Sequence, residues 1–271
     1  MEFLQNLISQ SRLLEVLHEN LPAEMKSDPL YLQVEKYLAA YCDFNNISAE
    51  KAIHEYTRYI SQYNKDCKAF AKTGEYPLEA DKTEFTISRE SYDVVLMLSV
   101  LFTRHRFSIM SLLQQYAGDA TEALYIGLGS GLEIDLTKNS FRHITGYDLT
   151  VNDFLATKFP SASLHSTLYT GQQADHFDAI FLIELLEHLD DPYDLIKICY
   201  NSLKKNGRVL LTTATDIPQF DHLYKFAVDH MDFEEKIKAI GFRIVFKEKI
   251  THQYLSINIS PCNHFYVIEK A

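Results

Sequence analysis

One pattern between Ala123 and Asp148 narrows the possible folds more than any other feature of the chain. A short apolar run, Ala123-Leu124-Tyr125-Ile126, breaks into three alternate glycines, Gly127, Gly129 and Gly131, and a second short run ends in Gly146-Tyr147-Asp148. The first run has the length and flanks of a buried parallel strand, and the glycines allow a tight turn that brings backbone close to a ligand. Asp148 follows Gly127 by 21 residues, where the tip of the next parallel strand is expected. A carboxylate there can accept hydrogen bonds from both hydroxyls of a ribose. A dinucleotide site would need G-x-G-x-x-G, with a pyrophosphate at the helix N-terminus, and the last of those positions is Leu132 here. The pattern therefore favours a nucleoside-type ligand without a pyrophosphate and disfavours an NAD-dependent oxidoreductase.

The rest of the chain can support such a fold. Its 271 residues are 46% hydrophobic and 23% charged, enough for a large buried core and unlike a disordered chain. The formal net charge of -11 opposes general attraction to nucleic acid or to an anionic membrane. Neither partner is expected. No run of eighteen apolar residues occurs, and Met1-Glu2-Phe3-Leu4 lacks the basic start of a signal peptide, so a cytoplasmic location is expected. Cys42, Cys67, Cys199 and Cys262 are far apart with no C-x-x-C pair, and they read as reduced, mostly buried thiols.

Residues 1 to about 115 read as helix upon helix. Phe3, Leu4, Leu7 and Ile8, then Leu13, Leu14, Val16 and Leu17, recur at helical spacing until Leu21-Pro22 interrupts them. Asp28-Pro29 opens a further helix, and Ser48 is the expected N-cap of one running through Tyr63. On that helix Tyr56, Tyr59 and Tyr63 share one face, either as packing or as the wall of a substrate pocket. Gly74 and Pro77, with Glu79, Asp81 and Lys82, mark a loop, and Ser88-Arg89-Glu90-Ser91 starts another helix. A last helix is expected from Arg104 to Tyr116. Its first turn, Arg104-His105-Arg106, is the most basic spot in the chain, either a solvated turn or a partner for an acidic substrate group.

From residue 120 the periodicity changes to alternating strands and helices. Apolar runs at 123–127, 143–147, 162–165, 178–183, 208–213, 242–246 and 264–268 predict seven strands, the last two joined as an antiparallel hairpin because no helical pattern lies between them. A helix is expected over 231–240.

A second stretch makes the fold specific. Phe177-Asp178-Ala179-Ile180-Phe181-Leu182-Ile183-Glu184-Leu185-Leu186-Glu187-His188-Leu189 reads as a buried strand ending in a polar loop, with a helix opening after Pro192. Together with the glycine turn and Leu203-Lys204-Lys205-Asn206-Gly207-Arg208-Val209-Leu210-Leu211, it resembles three successive motifs of the class I S-adenosylmethionine (SAM)-dependent methyltransferases, over about residues 120 to 271. The resemblance implies an α/β fold with a seven-stranded, mostly parallel Rossmann-like sheet closed by a C-terminal antiparallel hairpin. To this is added an all-helical N-terminal part, giving a substrate or lid domain over 1–115 and a SAM-binding domain over 116–271.

The resemblance also implies a site. SAM binding is expected at Tyr125, Gly127, Gly129, Gly131, Asp148, Leu149, Leu168 and Ile183, although Tyr125 stands where the family usually has an acid that orients the amino-acid end of the cofactor. Glu184, Glu187 and His188 are the catalytic candidates, and His188 is the best general base because its ordinary pKa is near neutral. Tyr56, Tyr59, Arg106, His222 and Tyr224 are the substrate candidates. The expected function is methylation of a small molecule at oxygen or nitrogen, in specialised metabolism, with no resident metal and with a homodimer left open. Two alternatives stand beside it. One is a SAM-binding protein without catalysis. The other is a metal-assisted 2'-O-methyltransferase, since Glu184-x-x-Glu187-His188 is similar to the metal motif of the small-RNA enzymes, with His222 or His230 as a further ligand.

Overall fold

Residues 2–77, 87–219, 221–252 and 259–271 are described by the structure, a computed structural model. Helices form first. They are α1 (Glu2–Gln10), α2 (Arg12–Glu19), α3 (Ala23–Ser27), α4 (Pro29–Phe44), α5 (Ala49–Thr73), α6 (Arg89–Phe102) and α7 (Arg104–Ala117). Their starts are written in the side chains. Ser11, Asp28, Ser48 and Ser88 each accept a hydrogen bond from a backbone N–H of the first turn, and Pro29 occupies a position that needs no N–H. Helix α5 runs ten residues past the expected end at Tyr63 and stops where Gly74 turns left-handed at φ 68°. The loop expected at Glu79, Asp81 and Lys82 lies outside the described residues, as does part of the link expected between the last two strands.

The second half alternates as expected. Its strands are β1 (Ala120–Ile126), β2 (Phe141–Asp148), β3 (Ser163–Ser166), β4 (Phe177–Leu182), β5 (Leu203–Thr215), β6 (Phe242–Thr251) and β7 (Cys262–Lys270). Helices α8 (Leu132–Thr137), α9 (Asp153–Lys158), α10 (Pro192–Ser202) and α11 (Met231–Ile240) fall between them. The sheet order is β3-β2-β1-β4-β5-β7-β6, with β7 running antiparallel between β5 and β6 and the other pairs parallel. All seven predicted strands and the C-terminal hairpin are present. Between β1 and β4 the strand order reverses, and in an open α/β sheet the crevice at that point holds the ligand.

Side-chain alternation explains how the sheet is covered. Ala123 and Tyr125 of β1, Ala179 and Phe181 of β4, and Phe265 and Val267 of β7 join one core cluster with Tyr37, Leu98, Met110 and Leu113 of the N-terminal helices. Leu124, Ile126, Ile180, Leu182, Tyr266 and Ile268 face the other way, onto Ile196 of α10 and Phe233 and Ile237 of α11. The helical half is thus one covering layer of the sheet. Among the described residues no single helix is long and apolar enough to cross a membrane.

Phe181 sits at the centre of the first cluster, 1% exposed, stacked on Tyr125 at 4.4 Å and edge-on to Phe141 at 5.6 Å. Phe181→Ala is expected to cost about 3–5 kcal/mol in urea denaturation. A loss below about 1 kcal/mol would contradict its place in the core.

Candidate active site

A cavity of about 600 Å³ opens at the carboxyl ends of β1, β2 and β4, roofed by α5, α6 and α7. Small-molecule clefts span roughly 300–1,000 Å³. The glycine turn forms its floor. Gly127, Gly129 and Gly131 all have positive φ, a backbone shape that only glycine adopts freely. The turn is pinned by Asp148, whose Oδ2 accepts from the N–H groups of Leu128 at 2.7 Å and Gly129 at 3.2 Å. Arg89 of α6 donates to the same oxygen at 3.2 Å and to Asp93 at 3.4 Å, and Tyr41 donates to Asp93 at 2.6 Å. Burial outweighs these contacts and pushes the Asp93 carboxyl up to about 6.

The expected cofactor residues divide by position. Gly127, Gly129, Asp148, Leu149, Leu168 and Ile183 line the cavity. At Gly129 no protein atom lies within 4 Å of where a Cβ would stand, so the turn leaves room there. Gly131 is not on the cavity wall. A Cβ there would lie 2.3 Å from Leu155 Cδ2 and 3.1 Å from the Tyr37 hydroxyl, so its role is close packing against α9 and α4. Tyr125 is also off the wall, 3% exposed, with its hydroxyl 2.5 Å from Thr137 Oγ1.

The tips of β4 and β5 place the polar residues. Glu184 adopts φ 51°, held by its N–H donating to Thr212 Oγ1 at 2.6 Å. Its carboxylate is fully engaged, accepting from Asn263 Nδ2 at 2.8 Å and from Arg106 at 2.6 Å. Glu184 thus anchors Arg106 while also lining the cavity. Arg106 lines the cavity on a turn that is not simply solvated: beside it, half-buried His105 stacks on His252 at 3.7 Å, and burial lowers the pKa of both, that of His252 to about 4.

Glu187 and His188 sit together in the short turn after β4. Glu187 is 1% exposed, and its Oε2 has no hydrogen-bond partner. Burial first, and the charge of Glu184 second, raise its pKa well above the ordinary carboxylate value. His188 Nδ1 lies 3.0 Å from the Asp221 carbonyl and 3.6 Å from the Asp221 carboxylate. A carbonyl only accepts, so in this contact Nδ1 carries the proton and the neutral ring keeps its Nε2 lone pair free. Ligand atoms of Glu187, His188 and His222 all lie within 4.8 Å of one another.

Of the substrate candidates, Tyr59, Arg106 and His222 line the cavity. Tyr56, one turn from Tyr59, is fully buried against Phe102 at 6.0 Å and does not reach it. Tyr224 also points away, its hydroxyl donating to Tyr193 at 3.2 Å, and His230 is buried among Thr213, Thr215 and Tyr266. Sequence reasoning missed Arg89, Tyr92, Glu133 and Asp221, all on the cavity wall. Asp221 directly precedes His222, a substrate candidate, which was the one available signal. Arg89 reads as an ordinary first-turn residue, because its partner Asp148 is 59 positions away.

The sheet order, the glycine turn and the carboxylate at the tip of β2 define a Rossmann-like methyltransferase fold. The chain belongs to the family described as a methyltransferase domain, whose sequence model matches residues 102–240, just over half of it. A ubiquinone biosynthesis O-methyltransferase of Idiomarina loihiensis is 28% identical over 107 residues, covering 34% of this chain and 42% of the relative. The chain thus matches less than half the length of that relative. Two solved structures share the fold. One is a protein of Bacillus halodurans C-125 described as a candidate methyltransferase, with 13% identity, a TM-score of 0.52, and coverage of 60% of this chain and 99% of that one. The other is the 1,6-didemethyltoxoflavin-N1-methyltransferase of Burkholderia thailandensis, with 15% identity, a TM-score of 0.50, and coverage of 69% and 92%.

The Arg106–Glu184 pair yields a stability prediction. Glu184→Ala leaves a buried guanidinium unpaired and is expected to cost about 3–5 kcal/mol, whereas the paired replacement Glu184→Leu with Arg106→Met costs less. Chemical denaturation of both variants decides it, and an Ala variant as stable as wild type would remove the anchor role.

Proposed function

We propose that the chain is a SAM-dependent methyltransferase acting on a small molecule at oxygen or nitrogen. One observation carries the reading: the glycine turn pinned by Asp148 and the Glu187–His188 pair open onto a single cavity. Residues 116–271 would hold the cofactor, and residues 1–115 would cover the acceptor and shape specificity.

The residues fit SAM. The open space at Gly129 admits a ligand against the backbone, Asp148 offers acceptors for ribose hydroxyls, and Leu149, Leu168 and Ile183 give apolar walls for an adenine. When bound, SAM supplies an electrophilic methyl group on a sulfonium. The protein's part is to position the acceptor, exclude water and take the acceptor's proton. Asp221 orients His188 so that its Nε2 is the proton acceptor, and beside it burial and the charge of Glu184 favour the protonated form of Glu187. Tyr59 and Tyr92, packed edge-to-face at 6.2 Å, supply aromatic surface to the acceptor.

Isothermal calorimetry should show SAM binding to wild type and none to Asp148→Ala, and incubation with SAM and a metabolite extract should release S-adenosylhomocysteine. Binding without any turnover would favour a non-catalytic SAM-binding protein. Glu187→Gln should lower kcat by roughly 10²–10⁴-fold. Its stability effect has a defined sign. A raised folded pKa means that the bound proton favours the fold below the ordinary carboxylate value, and that contribution is lost as pH rises through the folded pKa. The Gln variant should therefore melt higher than wild type at pH 8, with the gap closing near pH 4.

A second reading has its own observation, the convergence of Glu187, His188 and His222. One carboxylate and two imidazoles suit a divalent first-row ion, and His222, not His230, is the histidine in reach. Glu184 is not part of that set. Elemental analysis of purified protein, with chelation and re-addition of magnesium, manganese or zinc, tests it. Full activity after chelation would set the metal aside.

A further inference from the structure

Tyr125 leaves a gap in the cofactor site, because the acid that the family usually carries at that position is missing. The structure shows that the phenol does not fill it. The Thr137 hydroxyl donates its one proton to the Glu133 carbonyl at 2.6 Å, so in the 2.5 Å contact with Tyr125 it is Tyr125 that donates. The ring is stacked on Phe181, and burial raises the pKa of the phenol. Tyr125 is therefore a neutral strut between β1 and α8, able to accept a hydrogen bond but carrying no charge to set against a cation.

That strut holds the helix that carries a different carboxylate. Glu133, one turn before Thr137, lines the narrow recess beside Tyr125, Gly127 and Ile183 and also lines the main cavity. Burial raises its pKa, and the largest opposing influence is its own backbone N–H. Among the described residues no cation lies within ion-pair distance of it. Arg106, whose charge it feels, is committed to Glu184. A half-buried carboxylate on a cavity wall, with no cation beside it, is placed to receive one from a ligand.

We infer that Glu133 is the carboxylate that receives the α-ammonium of SAM, taking the place of the acid absent at Tyr125. This rests on the SAM reading above.

The experiment compares two ligands on Glu133→Gln by calorimetry. S-adenosylhomocysteine keeps the ammonium, and 5'-methylthioadenosine lacks the whole amino-acid arm. The expected result is an S-adenosylhomocysteine Kd raised about 10- to 100-fold, the value of one charge-assisted hydrogen bond, with the methylthioadenosine Kd unchanged. Unchanged affinity for S-adenosylhomocysteine, or equal loss for both ligands, overturns the assignment. Should the variant not fold, wild type answers the same question, since the S-adenosylhomocysteine analogue with hydrogen in place of the α-amino group must then bind as weakly, and equal binding overturns it. If wild type binds none of these ligands, the cofactor reading itself fails.

Discussion

The ion pair between Arg106 and Glu184 is the contact on which the geometry of the site depends. Taking both charges out of water costs several kcal/mol, and their attraction offsets this only when the remaining hydrogen-bonding groups are met as well. On the Glu184 side they are: Asn263 of β7 donates to the other carboxylate oxygen, and Thr212 of β5 accepts the backbone N–H, whereas the buried Arg106 Nε–H has no partner among the described residues. One residue at the end of β4 is thereby tied to β5, to β7 and, through Arg106, to the start of α7. The bond fixes the helical layer over the strand tips. The crevice at the reversal of strand order becomes a roofed cavity, with a floor from the sheet and a roof from the helices.

How much of this was legible depends on the distance along the chain. The glycine turn, Asp148, the seven strands and the hairpin could be read because each is set by a local pattern of apolar alternation or backbone freedom. Glu184 could be recognised as part of a motif but not given its role, since its partner Arg106 is 78 positions away. The tyrosines of α5 show a different limit. Spacing of three puts Tyr56 and Tyr59 on one face, yet Tyr56 is buried against Phe102 while Tyr59 reaches the cavity. Periodicity gives direction around a helix, whereas depth depends on where α6 crosses it.

Charge inside the cavity also differs from what the sequence suggests. The basic cluster at 104–106 looks like an anion site, but His105 is neutralised by burial and the Arg106 charge is offset by Glu184. Arg89 is likewise shared between Asp93 and Asp148. Both arginines are thus paired internally, and Glu133, Glu187 and Asp221 stand on the wall with no arginine or lysine in ion-pair reach among the described residues. Such a wall attracts a cation, and a sulfonium or a protonated amine would meet both carboxylates and aromatic faces.

Asp148 connects this field to the fold. Its Oδ2 is occupied by two backbone N–H groups of the glycine turn and by Arg89, while among the described residues Oδ1 accepts from Thr150 N–H alone, at 3.2 Å. Each carboxylate oxygen offers about two lone-pair sites, so Oδ1 retains capacity for a hydroxyl without the turn being released. A ligand would meet a loop already in its final shape and would not have to order it, which lowers the entropic cost of binding. The second hydroxyl of a ribose would have to share Oδ2 with Arg89, the one donor there that belongs to the helical layer. Arg89 on Asp148 and Tyr37 on the Ser130 carbonyl at 2.7 Å thus both tie the helical layer to the glycine turn.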